Sequence, residues 1–159
     1  MRGDLNGYVV MRNNIESVNL FNNPVELGAR ITLLLAVLGD RKLDLDQLIY
    51  FDYISLYSSE FSGPESIHPA VPNHIAEILY RRECLPGALH LFASKGLLSV
   101  TIDDTGYSYG ASEQALPFAA ALQSSYYKKL WTNLLWVDNN FDELNQSRKE
   151  FFCRVGVTE

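Results

Sequence analysis

Apolar and polar positions change period along this chain, and the changes mark its elements. Leu27, Ile31, Leu34, Leu35 and Leu38 repeat at helical spacing, after Asn23 as a cap, Pro24 at the first helical position and Glu26 in the first turn. Gly39 is placed to end that helix. Most of its remaining face is also apolar, which predicts a central helix. Asp44 can cap a second helix to about Tyr57, with Leu45, Leu48, Ile49 and Leu56 on one face. Asp52 falls on that same face, so it needs a cationic partner. Arg30, Arg81 and Arg82 are the candidates.

Ser58 to Pro69 is rich in Ser, Gly and Pro and predicts a stiff loop without regular structure. Asn73 can start a third helix, with Ile75, Ile78 and Leu79 inward and Glu77, Arg81 and Arg82 toward solvent. Pro86 restarts the helix, which continues through Leu89 and Phe92. At Lys95-Gly96 the period switches from 3.6 to 2. Leu98, Val100 and Ile102 alternate with Ser99, Thr101 and Asp103. Asp104-Thr105-Gly106 turns the chain, and Tyr107 and Tyr109 alternate on the return. A helix running into a two-stranded hairpin is the pattern of a recognition helix and wing, so the fold expected is mainly α with a small β-hairpin: a winged-helix domain followed by C-terminal helices. Ser112 can cap a helix to about Leu122. A last helix runs from about Ser125 to Phe141, with Tyr127, Leu130, Trp131, Leu134, Val137 and Phe141 on one side. The division expected is an N-terminal arm over 1–22, a winged-helix domain over 23–145 and a C-terminal tail over 146–159.

Charge decides what such a domain can hold. The formal net charge is -6, which argues against a dedicated duplex binder. The expected recognition helix offers only His90, Ser94 and Lys95 to a groove, and the turn Asp103-Asp104 is acidic where phosphate contact wants base. A DNA-contacting face would have to come from Arg81, Arg82, Lys95, Lys128 and Lys129. The aromatic residues Tyr107, Tyr109, Tyr126, Tyr127, Trp131 and Trp136 suit a protein interface as well as a core. The stiff loop adds Ser62, Gly63, Pro64, Ser66, His68 and Pro69 as interface candidates, with a brace between helices as the alternative role.

Catalytic and metal signals are weak. His68, His74 and His90 have no acid or cysteine spaced to complete a metal set. Cys84 and Cys153 match no metal spacing and read as free thiols in a reducing compartment. Cys84 with His68 or His90 is the only nucleophile pair on offer, and core packing explains Cys84 better. No phosphate loop, G-x-S-x-G or H-E-x-x-H occurs. The expectation is a cytoplasmic, non-enzymatic chain without cofactor, metal or membrane span.

Several stretches carry a family resemblance. They are NPVELGARITLLLAVL (Asn23 to Leu38), LDLDQLIYFDYISLYS (Leu43 to Ser58), SGPESIHPAVP (Ser62 to Pro72), ILYRRECL (Ile78 to Leu85), LFASKGLL (Leu91 to Leu98) and GYSYGASEQALPF (Gly106 to Phe118). In this order, and with the last helix included, the chain from Asn23 to Phe141 resembles the second class of middle component of ABC-three-component systems. The loop Gly63 to Pro69 is the most specific piece. The resemblance implies a non-catalytic subunit in a prokaryotic conflict system of the Lamassu anti-phage or anti-plasmid kind. Its implied partners are an SMC-like ABC ATPase and an effector, often a nuclease, with DNA met only through the complex. A winged-helix transcriptional regulator is the alternative.

Overall fold

The computed structural model describes residues 23–156. The arm over 1–22 therefore lies outside the described residues. Helix α1 (Pro24–Leu38) is the centre of the molecule. Asn23 Oδ1 accepts the Glu26 amide at 2.8 Å, and Gly39, at φ 67°, closes the other end. Leu27 to Leu35 are buried without interruption, because helices later in the chain cover α1 on several sides. Helix α2 (Leu45–Leu56) starts in a complete capping box: Asp44 accepts the Gln47 amide and the Gln47 side chain accepts the Asp44 amide. Helix α3 (His74–Ser94) is capped by Asn73.

Helix α3 leaves its axis through a Schellman turn. The Gly96 amide donates to Ala93 and the Leu97 amide to Phe92, with Gly96 at φ 75°. Strands β1 (Leu98–Asp103) and β2 (Gly106–Ala111) then pair antiparallel, with Leu98 opposite Ala111 and Ile102 opposite Tyr107. Leu43, just before α2, forms a one-residue bridge to Tyr109 on the other edge of β2. Helices α4 (Ala115–Ala121) and α5 (Ser125–Asn139) lie against α1. Two short helices, α6 (Phe141–Gln146) and α7 (Arg148–Arg154), finish the described chain. The chain is thus mainly helical with one small hairpin and C-terminal helices, as its periodicity predicts.

The buried polar centre answers the question Asp52 raises. Its carboxylate takes Arg30 Nε and Nη2 at 2.8 and 2.9 Å and Arg81 Nε at 2.9 Å. Arg81 also reaches Glu77 at 2.8 Å. Two arginines and two carboxylates balance, which is what lets these charges leave water. Arg82 is not part of this set; it pairs with Asp46 at 3.2 Å.

Three expectations are corrected. Arg81, expected toward solvent, is 1% exposed, while Ile75 and Leu79, expected inward, face out. Helix α3 runs through Pro86 instead of restarting there, with Pro86 on an exposed position. The Ser-rich loop opens with a 3-10 turn over Ser58–Phe61. Within the expected tail, α7 buries Phe151 and Phe152 against Tyr50, whose ring centroid is 5.4 Å from that of Phe151. Two aromatics in a short helix suffice to dock it.

Candidate partner-binding surfaces

The loop after α2 is fastened at nearly every residue. The Leu56 carbonyl accepts the amides of Ile67 and His68 at 2.9 and 3.2 Å. Ser58 Oγ donates to Pro64 at 2.9 Å, and Ser66 Oγ accepts the Ser59 amide at 3.0 Å. Buried Asn133, on α5, donates to the Ser55 carbonyl, Ser58 Oγ and the Glu65 carbonyl at 2.9, 3.0 and 3.3 Å. Gly63 lies under Trp136 so closely that a Cβ would sit 2.6 Å from the ring. The loop therefore braces α2 against α5. Its exposed positions are Ser59, Glu60, Ser62, Glu65 and Pro69; Gly63, Pro64, Ser66 and His68 are half-buried in the brace.

His68 joins the loop to the polar centre. Its Nε2 lies 3.3 Å from the Tyr126 hydroxyl, and its ring meets Tyr57 edge-on. Burial, then the fields of Arg30 and Arg81, lower its pKa and favour the neutral ring. Burial likewise pushes the Tyr126 hydroxyl up to about 12. Asn133 was not among the sequence candidates; its position between Leu130 and Leu134 on an apolar helix face was the available signal.

The hairpin is a second surface. Leu98 and Ala111 sit at its base, and Leu98 is buried in the core. Farther out, Val100, Ile102 and Tyr107 are 44%, 67% and 59% exposed. Tyr109 is half-buried beside the Leu43 bridge. At the tip, Asp103 Oδ1 accepts the Thr105 amide at 2.8 Å and its hydroxyl at 2.5 Å, so turn chemistry occupies that carboxylate.

A third surface is a groove of about 560 Å³ between α1, α4 and α5, walled by Leu116, Leu122, Tyr127 and Trp131. Tyr127 donates its hydroxyl to Glu26 at 3.0 Å, fixing one wall. Leu116 is largely exposed there and was not a sequence candidate. The interface candidates thus fall on separate surfaces: Trp131 in the groove, Trp136 and Tyr126 on the loop, Tyr107 and Tyr109 on the hairpin.

The five basic candidates do not form one face. Arg81 is enclosed by Asp52 and Glu77, and no phosphate can reach it. Arg82 is half-buried, paired with Asp46 and placed 5.6 Å over the Phe152 ring. Lys95, Lys128 and Lys129 are exposed. Cys84 and His68 are engaged separately, Cys84 with the Tyr80 hydroxyl one helical turn away and His68 with Tyr126. Among the described residues no group of His, Cys, Asp or Glu is arranged to hold a metal, and no helix is long and apolar enough to cross a membrane.

The family model for the ABC-three-component (ABC-3C) system middle component 2 matches residues 20–155. The chain belongs to that family. No curated protein and no solved structure matches it. As a middle component 2, the chain is one component of an ABC-three-component system. The matched span runs through α7 and takes in Phe151 and Phe152 of this chain.

Proposed function

We propose that this middle component 2 is a non-catalytic adaptor in a prokaryotic anti-phage or anti-plasmid defence complex of the Lamassu kind. It docks on an SMC-like ABC ATPase and links or restrains an effector such as a nuclease. The observation that carries this reading is the family match over nearly the whole chain.

The architecture supports it. We read the order α1, the Leu43 bridge, α2, α3, β1 and β2 as a winged helix with Leu43 as its abbreviated first strand. In a DNA-reading winged helix the element before the wing supplies cations and amides to the groove. Here that helix keeps Arg81 inside the domain, and the wing tip carries Asp103 and Asp104. What the domain presents instead is apolar: Val100, Ile102 and Tyr107 on the wing, and Leu116 beside the Trp131 groove. Apolar and aromatic patches rimmed by polar residues mark protein contacts.

Co-expression with the products of the neighbouring genes, followed by purification through a tag on this chain, tests the proposal. The expected result is co-elution with an ABC ATPase and an effector at fixed ratio. Recovery of the chain alone would overturn it.

A further inference from the structure

Among the described residues, the wing holds an unpaired hydrogen-bonding edge. Tyr109 exchanges both of its backbone bonds with Leu43, at 2.9 and 2.8 Å, so its amide and carbonyl point away from β1. Val100 is directly opposite Tyr109, and Ile102 directly opposite Tyr107. In an antiparallel ladder, facing residues alternate between pairs that bond each other and pairs whose groups point outward. Val100 and Ile102 therefore direct their amides and carbonyls outward from the free side of β1. Among the described residues no strand pairs there.

The same two residues carry exposed apolar side chains. Natural proteins blunt such an edge with lysine, proline or a bulge. Within the hairpin itself none of them occurs: its register is unbroken, and residues 97–112 contain neither lysine, arginine nor proline, although Lys42, from before α2, donates to Thr101 Oγ1 at 2.9 Å. The only charges in that span are Asp103 and Asp104 at the tip.

We propose that β1 accepts an extended segment of a partner polypeptide as an added strand. That segment presents apolar side chains at alternate positions to Val100 and Ile102. It carries a lysine or arginine at the end that meets Asp104, the exposed tip carboxylate that the turn does not occupy, since an acidic tip on an acidic chain selects a basic partner. The inference rests on the adaptor reading and names the mode by which a partner is held.

Amide hydrogen exchange tests it on the intact chain, alone and in the complex recovered with its neighbouring gene products. The amides of Val100 and Ile102 exchange freely in the isolated chain and slow at least about tenfold in the complex, as new backbone bonds require. Val100→Pro removes one outward amide and no bond within the hairpin. It weakens partner binding about tenfold, the equivalent of one lost backbone bond, while Val100→Ile, which keeps the amide and the apolar β-branched side chain, does not. Ile102→Lys, an exposed change, also weakens binding. A complex in which both amides still exchange freely overturns this inference and leaves the adaptor reading standing. Failure to form any complex overturns both. Protection of both amides in a homodimer of the chain alone assigns the edge to a second copy and overturns the proposal.

Discussion

Arg30 and Asp52 form a two-pronged pair, Nε to Oδ1 at 2.8 Å and Nη2 to Oδ2 at 2.9 Å, with neither side chain more than 2% exposed. Arg81 takes the remaining approach to Oδ2. One carboxylate thus ties α1 and α3 to α2. Asp52→Asn keeps the shape and removes the charge, leaving two buried guanidinium groups facing each other. The expected loss is about 3–5 kcal/mol, the usual result of breaking a buried ion pair from one side. Urea denaturation reads it as a lower midpoint at unchanged slope.

The same carboxylate sets an acid limit. Burial by itself would raise the Asp52 pKa, but the two guanidinium groups and their hydrogen bonds outweigh burial and hold it at about 2. The unfolded chain takes up that proton near the ordinary value of 3.8. A depressed carboxylate stabilises the fold fully above the unfolded pKa, and the contribution drains as pH falls from there through about 2. The urea midpoint should therefore drop across that window. In Asp52→Asn the drop should be shallower, since the titrating group is gone.

His68 acts in a higher window with the same sign. Its folded pKa lies below the ordinary 6.5 because of burial and the nearby arginines. Below pH 6.5 the unfolded chain binds a proton that the folded ring resists, so stability falls as pH decreases through that value. His68→Gln removes the titration and keeps a polar group near Tyr126. Stability compared at about pH 7.5 and 5.5 should change less in this variant than in the parent.

Much of this was legible in the chain, and the misses share a cause. The caps at Asn23, Asp44 and Asn73 and the hairpin register rest on local chemistry, which the residues state directly. Asp52 was recognisable as a buried charge because its helical neighbours are apolar. Choosing Arg81 over Ile75 as the inward residue of α3 was not possible, since helical spacing permits either and only the distant carboxylate decides. Pro86 signalled a break that tertiary packing overrides: Leu85, Ala88 and Leu89 on both sides of it are buried. The separation of the three candidate surfaces depends on how helices cross, which no local pattern encodes.

Gly28 makes a test of close packing. It lies within α1, where alanine ordinarily gains about 1 kcal/mol over glycine. A Cβ at this position would meet the Phe92 ring at 2.2 to 2.8 Å. Phe92 is itself buried and meets Phe118 edge-on, so its ring has little room to turn away. Gly28→Ala is expected to destabilise by about 1–3 kcal/mol, because overpacking exceeds the propensity gain. Gly87, exposed on α3 with nothing near its Cβ position, supplies the control: Gly87→Ala should stabilise. Thermal melts of the two variants should move in opposite directions.

The arrangement of cations predicts how the isolated chain meets DNA. With Arg81 enclosed and Arg82 paired, only Lys95, Lys128 and Lys129 of the five candidates are exposed, on a chain of net charge -6. Three phosphate contacts would give a log-log salt slope of about -3, shallow for a duplex binder. The expected outcome is no measurable binding of the isolated chain to duplex DNA at about 50 mM salt, and no change on converting the three lysines to glutamate. Tight binding with a slope of about -6 or steeper would require a cationic face that the fold does not present, and would favour the regulator over the adaptor.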